Sequence, residues 1–250
     1  MNGLNDNIGI IILAAGKGTR MKSEKAKVLH SLSGRPMILY VMDTAAKVTT
    51  EKDIIIVIGN QADKVKRVVF EKADVKFALQ KEQRGTGHAV QCALPELSKD
   101  CANVVILSGD VPLIKSSTIS ELIADHVKNG NTITVLGVCL ENPFGYGRII
   151  ESVSGCVKKI VEQADADDAE KNINIVNSGI YCVKRDFLEL SLSQIKSNNN
   201  QNEIYLTDIV EVASNGRKKI GLKICKDQTE VMGINTPQDL LKIETMQMES

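Results

Sequence analysis

Apolar and polar residues alternate along this chain in blocks that favour an α/β fold. Between short apolar runs lie segments with apolar positions every three or four residues, which predict helices. The apolar runs rich in β-branched residues, which predict strands, are Ile8–Leu13, Ile54–Ile58, 75–79, 104–107 and 132–138. The predicted helices cover residues 37–47, 62–70 and 119–128. We expect Pro36 at the first position of a helix, and Ser116 or Ser117 as the cap of another.

The pattern changes after residue 140. Residues 148–151 and 157–161, with a turn at Ser154 and Gly155, predict an antiparallel hairpin. An acidic polar turn at 165–174 follows, and the remaining predicted elements are a strand at 175–183, a helix at 185–196, a loop at 197–202, a helix at 207–213, a strand at Ile220–Ile224 and a last helix from Pro237. We therefore predict a Rossmann-like α/β fold: a mixed, mostly parallel sheet with helices on both faces and a small antiparallel β insertion.

Composition argues against several classes of protein. The chain has 31 basic and 31 acidic residues, so no excess charge attracts nucleic acid or an anionic membrane. Its longest apolar run, residues 10–15, is far shorter than the roughly 18 residues of a membrane span, and the N-terminus lacks a basic signal region. The six scattered cysteines form no C-x-x-C pair and are interpreted as reduced core thiols of a cytoplasmic protein.

The first candidate for chemistry is a glycine-broken basic loop, residues 13–21, directly after the first apolar run. Gly16 and Gly18 let the backbone approach a ligand, and successive N–H groups can surround phosphate oxygens. Arg20 and Lys27 add positive charge that suits a polyphosphate. The loop lacks the third glycine of the dinucleotide-binding motif and the first glycine of a phosphate loop. On its own it could also be an ordinary strand-to-helix turn with surface lysines.

Further short segments combine glycine with polar residues: 27–30, 80–89, 109–113, 145–149, Glu162 with 177–179, and 233–236. In order and spacing they resemble the sugar-nucleotide pyrophosphorylases, and among these the bacterial N-acetylglucosamine-1-phosphate uridylyltransferase domains. The resemblance covers about residues 9–241 and includes the stretch 198–208. Ala26 stands where that family usually has proline. The hexapeptide-repeat β-helix of the bifunctional members is absent, so we expect no acetyltransferase activity, and a monomer or weak oligomer.

The resemblance implies an enzyme that transfers UMP from UTP to N-acetyl-α-D-glucosamine 1-phosphate, giving pyrophosphate and UDP-N-acetylglucosamine, a cell wall precursor. The sugar phosphate is already anionic, so in-line attack on the α-phosphate needs alignment and charge neutralisation rather than a general base. The domain organisation expected is one nucleotidyltransferase domain over 1–250, with a nucleotide-binding half at about 8–140, a sugar-binding half at about 141–235 and a C-terminal helix at 237–248.

The resemblance also implies roles for individual residues. Lys27 and Arg20 would be the catalytic cations, and Asp110 with Asn235 would hold Mg²⁺, which prefers a few hard oxygen ligands. The implied nucleotide-binding residues are Leu13, Ala14, Ala15, Gly16, Gly18, Gln80, Gly85 and Thr86. The implied sugar-binding residues are Gly147, Glu162 and Asn177. His30 and His88 are interpreted as structural.

Three alternatives stay open at this point. The nearest is another sugar-1-phosphate nucleotidyltransferase, for example one that uses glucose 1-phosphate. A non-catalytic regulatory protein that binds nucleotide sugars would be expected to lack Lys27, Arg20 or Asp110, and all three are present. A glycosyltransferase would use a D-x-D metal motif, which Asp165 and Asp167 match, but they fall in a predicted polar turn.

Overall fold

The computed structural model describes residues 8–153 and 155–248. Within them the strands are β1 Ile8–Leu13, β2 Ser31–Leu32, β3 Arg35–Pro36, β4 Ile54–Ile58, β5 Lys76–Leu79, β6 Asn103–Ser108, β7 Ile133–Cys139, β8 Arg148–Glu151, β9 Val157–Val161, β10 Ile175–Lys184 and β11 Ile220–Ile224. The helices are α1 Met37–Ala46, α2 Ala62–Phe70, α3 Thr86–Ala93, α4 Ser116–Asn129, α5 Asp168–Lys171, α6 Arg185–Leu192, α7 Asp208–Asn215 and α8 Pro237–Met248.

The central sheet follows the order β11-β7-β10-β6-β1-β4-β5. β1 pairs in parallel with β4 and β6, β4 with β5, and β7 with β11. β10 lies antiparallel between β6 and β7, and the antiparallel hairpin β8–β9 joins the sheet through β10. The predictions of a mostly parallel sheet and a small antiparallel insertion are confirmed.

Both faces of this sheet are buried. Side chains alternate along a strand, so Ile10 and Ile12 of β1 enter one apolar cluster with residues of α1, α2 and α4. Ile11 enters the opposite cluster, which includes residues of α3, α6 and α7. All three isoleucines are fully buried, and the burial of each side chain stabilises the folded state by about 1.5–3 kcal/mol. The continuous apolar runs of the sequence therefore reflect burial on both sides, as a covered parallel sheet requires.

Two predicted helix starts are wrong. Pro36 precedes α1 in an extended conformation, because it pairs with Ser31 in the small β2–β3 ribbon. Neither Ser116 nor Ser117 caps α4, which begins at Ser116 itself. Instead the carboxylate of Glu230 accepts from the Lys115 backbone N–H and the Thr118 hydroxyl at that end of the helix.

Other differences from the predicted pattern are smaller. The helix predicted over 185–196 ends at Leu192, α3 has no counterpart among the predicted helices, and the acidic turn contains the short α5, which Asp167 and Glu170 cap. Ser154 of the predicted hairpin turn lies outside the described residues. No helix in the described part of the chain is long and apolar enough to cross a membrane.

The core interpretation of the cysteines is correct for three of them. Cys101, Cys182 and Cys225 are buried, and Cys92 is partly buried. Cys139 and Cys156 are exposed, so they are not core residues. Cys139 is the last residue of β7, and Cys156 lies directly before β9. All six carry free thiols.

Candidate active site

A cleft of about 530 Å³ opens at the carboxyl ends of β1, β5 and β6. Open α/β sheets bind ligands at this edge, and the volume lies within the range of small-molecule sites. The candidate residues that line it are Leu13, Ala14, Ala15, Gly16, Gly18, Lys27, Gln80, Gly85, Thr86 and Asp110. The structure thus brings ten of the fifteen predicted site residues together around one cleft.

Backbone hydrogen bonds fix the start of the basic loop to the sheet. The Ala14 N–H donates to the Val57 carbonyl (2.9 Å), and the Gly109 N–H donates to the Leu13 carbonyl (2.9 Å). Further along, Gly18 has φ +62°, and a Cβ there would lie 2.6 Å from the Lys27 Cβ. Only glycine combines this backbone conformation with so close an approach. The loop is therefore shaped to let Lys27 pack against it.

Lys27 and Arg20 converge on the two predicted metal ligands. The Lys27 ammonium donates to Asp110 Oδ2 and, at 3.1 Å, to Asn235 Oδ1. Arg20 Nη2 donates to the same Asn235 oxygen at 2.9 Å. The Lys27 and Asp110 side chains are each 17% exposed. We call Arg20, Lys27, Asp110 and Asn235 the cation cluster; it joins residues up to 215 positions apart in the chain.

The C-terminal segment places Asn235 in the cation cluster. The Ile234 N–H donates to the Asp110 carbonyl at 2.9 Å, which ties this segment to the end of β6. Asp239, in the first turn of α8, accepts from the Asn235 and Thr236 N–H groups at 3.0 and 2.8 Å. The helix itself packs through Ile243 on an apolar cluster. That cluster also contains Met21, next to Arg20. The helix α8 therefore supports the segment that carries Arg20 as well as the segment that carries Asn235.

The opposite end of the cleft is formed by residues 80–88. Gln80 is buried, with 3% exposure, and its Nε2 donates to the Gly85 carbonyl at 3.0 Å. Gly85 has φ +107°, and a Cβ there would meet the Ile204 carbonyl at 2.5 Å. The Thr86 hydroxyl accepts from the Leu206 N–H at 3.0 Å. The segment around Ile204 thus determines the shape of this end.

The predicted sugar-binding residues lie beside one another: Gly147 directly before β8, Glu162 directly after β9 and Asn177 on β10. The Asn177 N–H donates to the Gly147 carbonyl at 2.8 Å, and a Cβ at Gly147 would lie 3.3 Å from Glu162 Oε2. The Asn177 amide is occupied within the protein, since Nδ2 donates to the Tyr181 hydroxyl (2.6 Å) and Oδ1 accepts from the Gly179 N–H (3.0 Å). Burial raises the pKa of Glu162, although a hydrogen bond from Thr207 opposes this effect.

Sequence reasoning gave no role to several residues near these sites. Asp208 lies among other acidic side chains, and burial, followed by repulsion from Glu211 and Asp165, raises its pKa to about 6. The hydroxyl of Tyr146 is hydrogen-bonded to the backbone of Gly233, and burial raises its pKa. Both residues lie in segments that carried the family resemblance, which is the signal that could have identified them.

Comparison with known proteins identifies the family of this chain. The family described as "Nucleotidyl transferase" matches residues 9–229. The "Bifunctional protein GlmU" of Geotalea uraniireducens is 46% identical over 92% of this chain and 50% of its own length. The protein of the same name from Desulfotalea psychrophila is 45% identical over 93% of this chain and 68% of its own length. The chain thus spans about half the length of the first relative.

The solved structure of HddC from Yersinia pseudotuberculosis has the same fold, with a TM-score of 0.68 over 95% of this chain and 98% of that chain, at 19% identity. A second structure of HddC holds GMP-PN. The shared fold is an open α/β sheet, with a cleft at the carboxyl ends of its strands. The family match covers most of the chain, and this chain belongs to the nucleotidyl transferase family. It is a nucleotidyltransferase that resembles the N-terminal part of the GlmU proteins.

Proposed function

We propose that this chain transfers a uridylyl group from UTP to N-acetyl-α-D-glucosamine 1-phosphate and releases pyrophosphate. The observation that carries the proposal is the cation cluster, in which two cationic side chains and two oxygen ligands meet at the edge of the cleft. Membership of the nucleotidyl transferase family supports the reaction type. The finer choice of UTP and of the acetamido sugar rests on the motifs that resemble the uridylyltransferase domains.

The proposed reaction is a direct displacement. A phosphate oxygen of the sugar forms a bond to the α-phosphorus of UTP, the bond to the bridging oxygen breaks, and its electron pair leaves with pyrophosphate. Lys27 neutralises charge on the sugar phosphate and the α-phosphate, and Arg20 neutralises charge on the β and γ phosphates. Alignment and fixed positive charge are the main contributions that proteins make to such transfers. No side chain needs to act as base.

The residues present also fit a magnesium ion. Asp110 Oδ2 and Asn235 Oδ1 both point at one cation, the Lys27 ammonium, so the two oxygens converge on a single position. No group of three or more His, Cys, Asp or Glu side chains suited to a metal occurs in residues 8–153 and 155–248. A site with two protein oxygens suits Mg²⁺, which keeps water and phosphate ligands. When bound, Mg²⁺ would neutralise charge on the phosphate oxygens.

We assign the remaining candidate residues to a nucleotide subsite in the cleft and to a separate sugar subsite, because Gly147, Glu162 and Asn177 do not line the cleft. We place the triphosphate against the backbone of residues 13–18, and the uracil base against Gln80 and Gly85, with Thr86 near the ribose. Gly147, Glu162 and Asn177 form the sugar subsite. In this proposal residues 8–140 and 141–235 are two halves of one domain over 1–250, and α8 completes the cation cluster.

A second substrate deserves testing because the Asn177 side chain is occupied by Tyr181 and Gly179. Selection of the acetamido group then depends on Gly147 and Glu162, and glucose 1-phosphate is the competing substrate. The test measures pyrophosphate release with Mg²⁺ for both sugar phosphates and for each nucleoside triphosphate. Turnover with UTP and the acetamido sugar supports the proposal. Turnover with glucose 1-phosphate alone overturns the sugar, and absence of turnover with every pair overturns the function.

A further inference from the structure

The side-chain amide of Gln80 has two hydrogen-bond partners, and these decide which of its atoms can face a ligand. Its Nε2 lies 3.0 Å from the Gly85 carbonyl oxygen and 3.2 Å from Nδ1 of His88. A carbonyl oxygen can only accept a hydrogen bond, so the amide nitrogen, not the amide oxygen, faces Gly85. Gln83 Nε2 also donates to the Gln80 backbone carbonyl at 3.1 Å, which fixes the backbone.

The same arrangement fixes the histidine tautomer. Because Nε2 of Gln80 has only hydrogens to offer, Nδ1 of His88 must carry a lone pair and accept. The ring proton of neutral His88 then lies on its Nε2, where Cys92 Sγ is 3.7 Å away as a weak acceptor. Both hydrogens of the Gln80 amide are therefore used within the protein, one on Gly85 and one on His88.

Two groups are left to face the cleft at this end. Within the described residues, neither the Gln80 Oε1 nor the Gly85 N–H takes part in a hydrogen bond, and both residues line the cleft. They offer an acceptor beside a donor. Uracil presents the matching pair, N3–H beside the O4 carbonyl. Cytosine presents the reverse pair in the same pose, an unprotonated N3 beside an amino group.

We infer that His88 is a specificity-determining positioning residue, which holds the Gln80 amide so that its oxygen faces the base and selects uracil over cytosine. The inference rests on the proposed function, because it assigns the base to this end of the cleft. It gives His88 more than the structural role expected from the sequence. A site built around fixed polar groups rejects an analogue that leaves those groups unpaired.

The tautomer can be measured in the free protein, without substrate. A long-range ¹H–¹⁵N spectrum of the wild-type chain reports which imidazole nitrogen of each of the three histidines carries a proton. His88→Asn identifies the signals of His88 by their loss. We expect His88 to be protonated at Nε2 and unprotonated at Nδ1 at neutral pH. A neutral ring with its proton on Nδ1 overturns the inference.

Base selection is measured through the dissociation constants of UTP and CTP by calorimetry, for the folded variants with unchanged circular dichroism. His88→Ala removes one of the two contacts that orient the amide, and we expect the UTP preference to fall about tenfold. His88→Asn puts a carbonyl oxygen near the position of Nδ1 and should keep most of the preference. Cys92→Ala is the matched control on the same helix, since it removes only the contact at Nε2.

The outcomes separate this inference from the proposed function. If the wild-type chain binds UTP and CTP equally, or neither, the assignment of the base is wrong and the proposed function fails with it. If the wild type prefers UTP and His88→Ala keeps the full preference, the proposed function stands and the role of His88 is refuted. Equal loss of UTP and CTP affinity in His88→Ala also contradicts the inference, because it would reflect general damage to the cleft.

Discussion

The ammonium group of Lys27 lies directly against the carboxylate of Asp110, and a second hydrogen bond of 3.1 Å joins it to Asn235. The two oxygens proposed to bind a metal are therefore held by the proposed catalytic cation. Mg²⁺ binds its oxygen ligands at about 2.0–2.1 Å, so it cannot share this position with an ammonium group. Binding of the metal requires Lys27 to turn away from Asp110, towards the cleft that it also lines.

The first prediction concerns the exchange of the Lys27 ammonium for a metal ion beside the Asp110 and Asn235 oxygens. Lys27→Met removes the competing charge, so we expect the free protein to bind Mg²⁺ or Mn²⁺ more tightly, by about tenfold, which corresponds to one ordinary hydrogen bond to a charged group. Calorimetric titration of metal into the nucleotide-free protein measures this. Lys25→Met, at an exposed lysine of the same loop, is the control and should leave the metal affinity unchanged. Weaker metal binding in Lys27→Met would refute the exchange.

Asp110 provides the second prediction. Asp110→Asn removes the only formal negative charge that the cation cluster contributes, so we expect turnover to require a much higher Mg²⁺ concentration and maximal turnover to fall by about a hundredfold. The measurement is the rate of pyrophosphate release as Mg²⁺ is varied. Asp43→Asn is a matched control, because Asp43 pairs with Arg35 on the surface. Wild-type magnesium dependence in Asp110→Asn would remove the metal assignment.

Gly18 allows backbone strain to be separated from a steric clash. A Cβ at Gly18 (φ +62°) would meet Lys27, whereas a Cβ at Gly130 (φ +63°) would meet nothing within 4 Å. Each replacement by alanine costs about 1–2 kcal/mol of left-handed backbone strain. We expect both variants to lose that much unfolding free energy in urea, with a larger loss for Gly18→Ala, and only Gly18→Ala to lose turnover. Equal turnover in the two variants would contradict the close packing of Lys27.

The fourth prediction concerns pH. The pKa of Asp208 is raised from 3.8 to about 6, chiefly by burial, so between these values the folded chain binds more protons at this site than the unfolded chain. Its contribution to stability therefore falls as pH rises from about 4 to about 6. We expect Asp208→Asn to stabilise the protein more at pH 7.5 than at pH 4, relative to wild type, in urea unfolding. Asp168→Asn, at an exposed side chain, should show no such difference.

Much of the fold could be predicted because the apolar pattern is local. The runs at Ile8–Leu13 and Ile54–Ile58 are strands with the predicted bounds, since continuous apolar runs are typical of buried parallel strands. The partly exposed edge strand Ile220–Ile224 also has its predicted bounds. The short helix α3 has a weak apolar pattern and begins directly after Gly85, whose conformation depends on contact with Ile204. Such long-range contacts leave no local signal.

In the candidate site, too, some positions could be predicted from the sequence, and other contacts are visible only in the structure. The glycine loop and Asp110 follow apolar strands, so their places at the sheet edge could be inferred from the sequence. That Asn235 reaches Lys27 across 208 positions is visible only in the structure, and so is the Glu230 carboxylate at the start of α4. The orientation of Gln80 likewise depends on which way His88 faces. These are tertiary contacts, which spacing along the chain does not encode.

The most direct test of the central claim is steady-state pyrophosphate release from UTP and N-acetylglucosamine 1-phosphate, compared between the wild-type chain and Lys27→Ala. We expect wild-type turnover that depends on both substrates, and a fall in kcat of about a hundredfold or more in the variant, with UTP affinity little changed. A variant that keeps its kcat, or that changes only KM, would show that the cation cluster does not act in the transition state.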